Sequence, residues 1–225
     1  FTHVRDADLD ALYAFLMMRR PVHEAPPANR LIFPLGFRPL LAGWKLLFLH
    51  HGETPTDSSR SAEWNRGAYL VEGLGHCGGC HTPRNLAGGE IRSQAYAGGI
   101  AEGWRAPPLN AANPAARKWT QKALVTYLRT GISPDHSAAA GPMGPVVDSL
   151  SQVPESEVRA IAAYIVSKMG GSPSGPVAPL PDHAEAAASR FPEGAVLFAG
   201  ACAGCHGQGA PMMGQGRPLL SLATA

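Results

Sequence analysis

At 225 residues and 45% hydrophobic content, the chain is long enough for one large or two small domains with a packed core. Nineteen Lys and Arg against 17 Asp and Glu leave a formal charge of +2, which excludes the electrostatic footprint of a nucleic-acid binder. The 26 glycines and 21 prolines predict loops and short helices in place of a long regular sheet.

In chain order, the first predicted element is a helix over Asp6–Leu16, DADLDALYAFL. It aligns with Glu155–Ile165, ESEVRAIAAYI, with Val4 matching Val153, so a repeat is present. The chain opens at Phe1 with no leader pattern, and the expectation is that an upstream segment is missing. The most apolar stretch is Leu31–Leu49, LIFPLGFRPLLAGWKLLFL. Arg38, Lys45, Pro34 and Pro39 make it unfit to span about 30 Å of hydrocarbon, so no transmembrane helix is predicted. Its amphipathic cluster of Leu40, Leu41, Trp44, Leu47 and Phe48 falls between two predicted domains. Packing between domains is the first reading of it; a membrane surface or a partner subunit are the others.

A linker near Ser59 leads to a helical pattern over Ala62–Leu74, which runs directly into Cys77. Thr120–Gly131 predicts a helix between a Thr cap and a terminal Gly. The next begins at Pro154 with acidic residues in its first turn and ends at Lys168, with Val158, Ile161, Ala162 and Ile165 as its buried stripe. Gly170–Pro181 is a Pro-rich, semi-rigid linker. Glu193–His206, EGAVLFAGACAGCH, then echoes Arg66–His81, RGAYLVEGLGHCGGCH.

Those two echoes hold all four cysteines, as CGGCH at Cys77–His81 and CAGCH at Cys202–His206. A disulfide framework explains neither histidine, and two tight pairs would staple almost nothing. A zinc site from the four thiols has the right ligand count but leaves the repeated histidine unexplained. A thioredoxin-like dithiol wants a βαβ context, and no β-branched alternating strands flank either pair. Covalent haem of the c type uses every residue of C-x-x-C-H: two thiols add to the haem vinyl groups and the histidine ligates iron. It also implies an exported, oxidising compartment.

An iron that only transfers electrons needs a second axial ligand, and methionine there raises the potential. Met143 lies in a Gly/Pro-rich stretch 62 residues after His81, where a loop can carry a thioether to the far side of the ring. Met212 and Met213 stay open as alternatives, although they follow His206 by only six and seven residues. Met17, Met18 and Met169 read as helix filler. His76 reads as a surface or packing residue, and His50, His51 and His136 as solvated histidines in polar loops or at a helix end.

The runs RGAYLVEGLGHCGGCHTPRN, YAGGIAEGWRAPPLN, WTQKALVTYLRTG and GPMGPVV closely resemble the three-haem cytochrome c subunits of periplasmic, membrane-associated dehydrogenases. The resemblance implies a mainly α fold of tandem class-I-like cytochrome c domains. One would be complete here, at 61–171. Residues 1–30 would be the tail of a first haem domain, 31–60 an interdomain helix and linker, 172–190 a Pro-rich linker, and 191–225 the head of a further domain. A preceding domain would have its iron ligands upstream of Phe1.

The same resemblance makes Cys77 and Cys80 the thioether anchors, His81 the proximal ligand and Met143 the distal one. Cys202, Cys205 and His206 repeat the first three roles, giving two haem sites here and three in a parent protein. Pro107, in the APPL run, would accept the Nδ1 hydrogen bond of the histidine, and Trp104 and Arg105 would meet the haem propionates. Implied partners are a dehydrogenase catalytic subunit, ubiquinone or a terminal oxidase, and the periplasmic face of the cytoplasmic membrane. PPLNAANPAARKWT and PPANRLIFPLGFRPLLAGW favour the branch that serves molybdenum hydroxylases with an iron–sulfur subunit. Such a chain would have no catalytic site of its own. The alternative is a dihaem peroxidase-like enzyme, which needs one haem with an open face.

Overall fold

The chain is described by a computed structural model that covers residues 2–28, 30–115, 118–133, 136, 138–171 and 183–203. Cys205, His206, Met212 and Met213 lie outside the described residues, so the second CxxCH motif is only partly in view.

The fold is mainly α. Its central unit is a pair of helices, α3 (Ala62–Tyr69) and α7 (Glu155–Lys168), crossed at a glycine contact. A Cβ on Gly67 would stand 1.9 Å from the Ala160 carbonyl oxygen, so only glycine lets the two backbones approach this closely. Around that contact Trp64 meets Tyr164 edge-on at 4.9 Å and donates its Nε1–H to Ser167 Oγ at 2.7 Å. Arg66 pairs with Glu157 at 2.8 Å on the rim.

Helix α5 (Gln121–Thr130) closes the core from the other side with Leu124 and Leu128. Thr120 accepts from the Ala123 N–H at its start, and Gly131 in the left-handed region, φ 76°, ends it. The next helix, α6 (Met143–Ser151), is tied back to α5 by Arg129, which donates to the Ser151 and Val153 carbonyls. Val71 and Val158, both 0% exposed, sit at the centre.

Three further pieces precede or follow this unit in the chain. The helix α1 (Asp6–Met17) buries none of its residues, yet Val4 just before it is 3% exposed and packs on Gly73. Arg5 and Asp8 clasp Tyr69 there: the Arg5 amide donates to Tyr69 Oη, which donates to the Asp8 carboxylate. The helix α2 (Leu40–Phe48) is pinned through Trp44, whose Nε1–H donates to the Ala87 carbonyl at 2.8 Å, and Phe48, whose ring lies on Gly89. The helices α8 (Ala184–Arg190) and α9 (Pro192–Ala201) follow the second linker and bury nothing among the described residues.

Two details depart from the sequence reading. The predicted helix over Ala62–Leu74 is not uniform: its last turn, Leu70–Leu74, widens into a π-helix in which the Gly75 N–H reaches Leu70 O at 2.6 Å. A short antiparallel pair, β1 (Gly99–Ala101) and β2 (Trp104–Ala106), also flanks the cysteine motif, where the sequence predicts no strand. Three residues on each side, with Gly at the turn, are too few to show alternation in the sequence.

Candidate haem site

The π turn releases the chain from α3 just ahead of the motif. His76, at φ 36°, turns it into the single helical turn α4 (Gly78–His81). That turn sets Cys77, Cys80 and His81 on successive faces, with the His81 N–H bonded to the Cys77 carbonyl at 3.1 Å. Cys77 packs against the buried cluster, and burial pushes its thiol up to about 11. Cys80 is exposed, and neither thiol is in a disulfide.

His81 is 7% exposed. Its Nδ1 lies 2.7 Å from the Pro107 carbonyl oxygen. A carbonyl can only accept, so Nδ1 carries the proton and Nε2 is left with its lone pair. Burial lowers the imidazole pKa while the Pro107 carbonyl pulls the other way, and the ring is neutral at pH 7. This is the form in which histidine binds a metal, oriented by the bond on its other nitrogen.

The β1–β2 hairpin delivers Pro107 to this place. Gly98 donates its N–H to the His81 carbonyl at 2.8 Å, Tyr96 donates its N–H to Thr82 Oγ1 at 3.1 Å, and Leu109 closes the loop onto the Tyr96 carbonyl at 2.8 Å. A Cβ on Gly99 would stand 2.3 Å from the Cys80 carbonyl, so the hairpin backbone lies directly on the motif.

Met143 is half-buried and packs against the same cluster as Cys77. Met143 opens α6 and is not in a loop; the Gly141–Pro142 turn before it belongs to the predicted stretch. Trp104 is 53% exposed, with its ring over Gly141, where a Cβ would come 2.5 Å from Trp104 Cδ2. Arg105 is exposed on β2, opposite Ile100. His136, read from sequence as solvated, is instead buried and stacked on Trp119 at 3.6 Å. Nothing in its polar neighbourhood in the sequence signals the tryptophan 17 residues earlier.

The residues fit a haem bound through the motif. Two unbridged thiols share one helical turn with a neutral, oriented imidazole, and the buried Tyr96 Oη makes no well-formed hydrogen bond among the described residues. Tyr96 packs on Gly78 inside the motif, with the Glu72 carboxylate among its neighbours. Glu72 itself accepts from Tyr164 Oη at 2.5 Å, which ties the π turn to α7 behind the cysteines.

Residues 65–168 match the family model described as cytochrome c. This segment is a cytochrome c domain. Such a domain holds haem c covalently, and the chain as a whole is similar to cytochrome subunits named for dehydrogenases. It is 49% identical over 210 residues to a nicotinate dehydrogenase subunit of Pseudomonas putida, a match covering 93% of this chain and 18% of that protein. It is 33% identical over 226 residues to the fructose dehydrogenase cytochrome subunit of Gluconobacter japonicus, covering 92% of this chain and 46% of the relative. With the gluconate 2-dehydrogenase cytochrome c subunit of Pantoea cypripedii it shares 34% over 218 residues, 90% of this chain and 49% of the relative. The chain thus spans from about a fifth to about half the length of these relatives.

Proposed function

We propose that this cytochrome passes electrons from a partner dehydrogenase toward ubiquinone or a terminal oxidase, on the periplasmic side of the cytoplasmic membrane and in association with it. The observation that carries the reading is the His81–Pro107 contact beside two unbridged thiols on one turn. Haem iron, when bound, supplies a one-electron couple between ferrous and ferric states. Cys77 and Cys80 would hold the macrocycle covalently, His81 Nε2 and Met143 would ligate the iron, and the Met143 thioether would keep out oxygen and peroxide. Trp104 and Arg105, on the hairpin that bears Pro107, serve the propionate edge. With His81 and Met143 both bound to iron, the domain would exchange electrons without turning over substrate, which would separate it from a peroxidase.

Cys202, Cys205 and His206 would hold a second haem through the same two thioether bonds and proximal histidine. The flanking helices support this tandem reading. The α7 residues Val158, Ala162 and Ile165 are buried, whereas their repeat partners include Tyr13 and Leu16 of α1, 65% and 64% exposed. In α9, Gly194 takes the place of Gly67, yet nothing but its own Phe191 approaches it among the described residues. Each resembles one half of the α3–α7 contact, which supports the reading of α1 and α9 as parts of two further haem domains.

For the partner, the branch serving molybdenum hydroxylases of N-heteroaromatic compounds fits best, because nicotinate is such a compound and a relative is named for its dehydrogenase. The test is to mix a reduced partner dehydrogenase with the oxidised holo-cytochrome and follow the reduced haem band. Reduction faster than with a Met143→Leu variant supports the conduit; no reduction overturns it.

A further inference from the structure

From residue 31 to 47, nine large apolar side chains are exposed, among them Ile32 at 76%, Phe33 at 93% and Leu46 at 87%. This is not a loose tail. Trp44 and Phe48 fasten α2 to the loop that follows His81, one by a hydrogen bond to Ala87 and the other by its ring on Gly89, and the two rings meet at 5.4 Å. With those two turned inward, Leu46 and Leu47 are left outward, and Leu86 stands fully exposed on the same loop beside them. The apolar face is therefore held at the edge of the haem-binding motif.

Charge decides what covers it. Residues 25–52 contain Arg30, Arg38 and Lys45 and neither Asp nor Glu, although the chain as a whole is nearly balanced. The cations interleave with the apolar side chains instead of rimming them. A protein interface takes arginine but is depleted of lysine and pairs its cations with acids across the seam. A bilayer surface accepts this pattern, because long cationic side chains reach the phosphates while their apolar neighbours enter the acyl boundary. The α2 helix has nine residues, and no helix among the described residues is long and apolar enough to cross, so the segment lies on the surface and does not span it.

We infer that residues 30–47 are the face by which this cytochrome lies on an anionic phospholipid surface, with Phe33, Leu46 and Leu47 in the acyl boundary and Arg30, Arg38 and Lys45 at the phosphates. The inference rests on the membrane association proposed above and gives it a location. It places the loop after His81 against the bilayer, where a lipid-soluble electron acceptor is at its most concentrated.

The test is co-sedimentation of the haem-loaded full chain with phosphatidylcholine vesicles, with and without phosphatidylglycerol. The chain is expected to partition into the anionic vesicles and weakly into the neutral ones. Arg38→Ser with Lys45→Ser should weaken anionic partition by about tenfold or more. Phe33→Glu with Leu46→Glu should abolish it, and the haem spectrum should not change in either variant. Absence of wild-type binding overturns the inference. Undiminished binding of the glutamate variant overturns the location while the membrane association stands. If light scattering shows self-association without lipid that the glutamate variant abolishes, the face is a protein interface and the inference falls. Loss of the haem spectrum in the wild type would instead strike the electron-carrier reading.

Discussion

The Nδ1 of His81 sits 2.7 Å from the carbonyl oxygen of Pro107, 26 residues further along the chain. A backbone oxygen on a short hairpin fixes the tautomer and tilt of the imidazole and leaves Nε2 for the iron. Everything between the two residues, from the Thr82–Tyr96 hydrogen bond to the glycines at 98 and 99, holds that oxygen in place.

The hairpin therefore has little room. Gly99→Ala would drive a methyl to 2.3 Å from the Cys80 carbonyl, so the strand must lift from the motif. We expect a loss of about 1–3 kcal/mol in urea unfolding of the holo-protein, together with a higher midpoint potential as the His81 bond to Pro107 lengthens and the imidazole becomes a weaker donor to iron.

At the α3–α7 crossing the collision is with backbone that cannot swing away. Gly67→Ala places its methyl 1.9 Å from the Ala160 oxygen and should cost about 3 kcal/mol, at the upper end of overpacking effects. Chemical denaturation measures this directly; a change within about 0.5 kcal/mol, the size of an ordinary surface substitution, would show that the helices do not cross here.

Met143→Leu keeps the volume and leaves stability within about 1.5 kcal/mol, while the thioether is lost. The expected outcome is a lower midpoint potential and binding of added cyanide by the oxidised protein. An unchanged potential and spectrum would remove Met143 from the iron.

Much of this is legible in the sequence. Thr120 and Gly131 mark the ends of α5, and the stripe of Val158, Ala162 and Ile165 marks the buried face of α7, because caps and periodicity are properties of single residues at fixed spacings. The CxxCH motif is legible for the same reason. Pro107 comes from family resemblance, since a carbonyl contact leaves no side-chain signature. The π turn is hidden because Leu70–Leu74 satisfies a helical pattern equally well. The burial of His136 is hidden because it depends on Trp119, a tertiary partner. The start of α6 at Met143 is masked by the glycines and prolines around it, although Pro in a first turn is compatible with a helix.

The joint between α1 and the haem domain is predicted to be acid-sensitive. Tyr69 Oη and then Arg5 hold the Asp8 carboxyl below the ordinary carboxylate range. The folded form binds fewer protons than the unfolded one, so the joint is stable above about pH 4 and weakens as pH falls through the lowered value. The protection factor of the Arg5 amide, which is bonded across this joint, should fall at low pH and in Tyr69→Phe at neutral pH. Exchange unaffected by either would place the clasp elsewhere.

The most direct test of the central claim is the intact mass of the mature chain, with a haem-stained denaturing gel and the reduced visible spectrum, for the wild type and for Cys77→Ala/Cys80→Ala. The account predicts haem that survives denaturation, a c-type reduced band, and a mass that falls by one haem in the double variant. A haem-free chain with titratable thiols at Cys77 and Cys80 would contradict it.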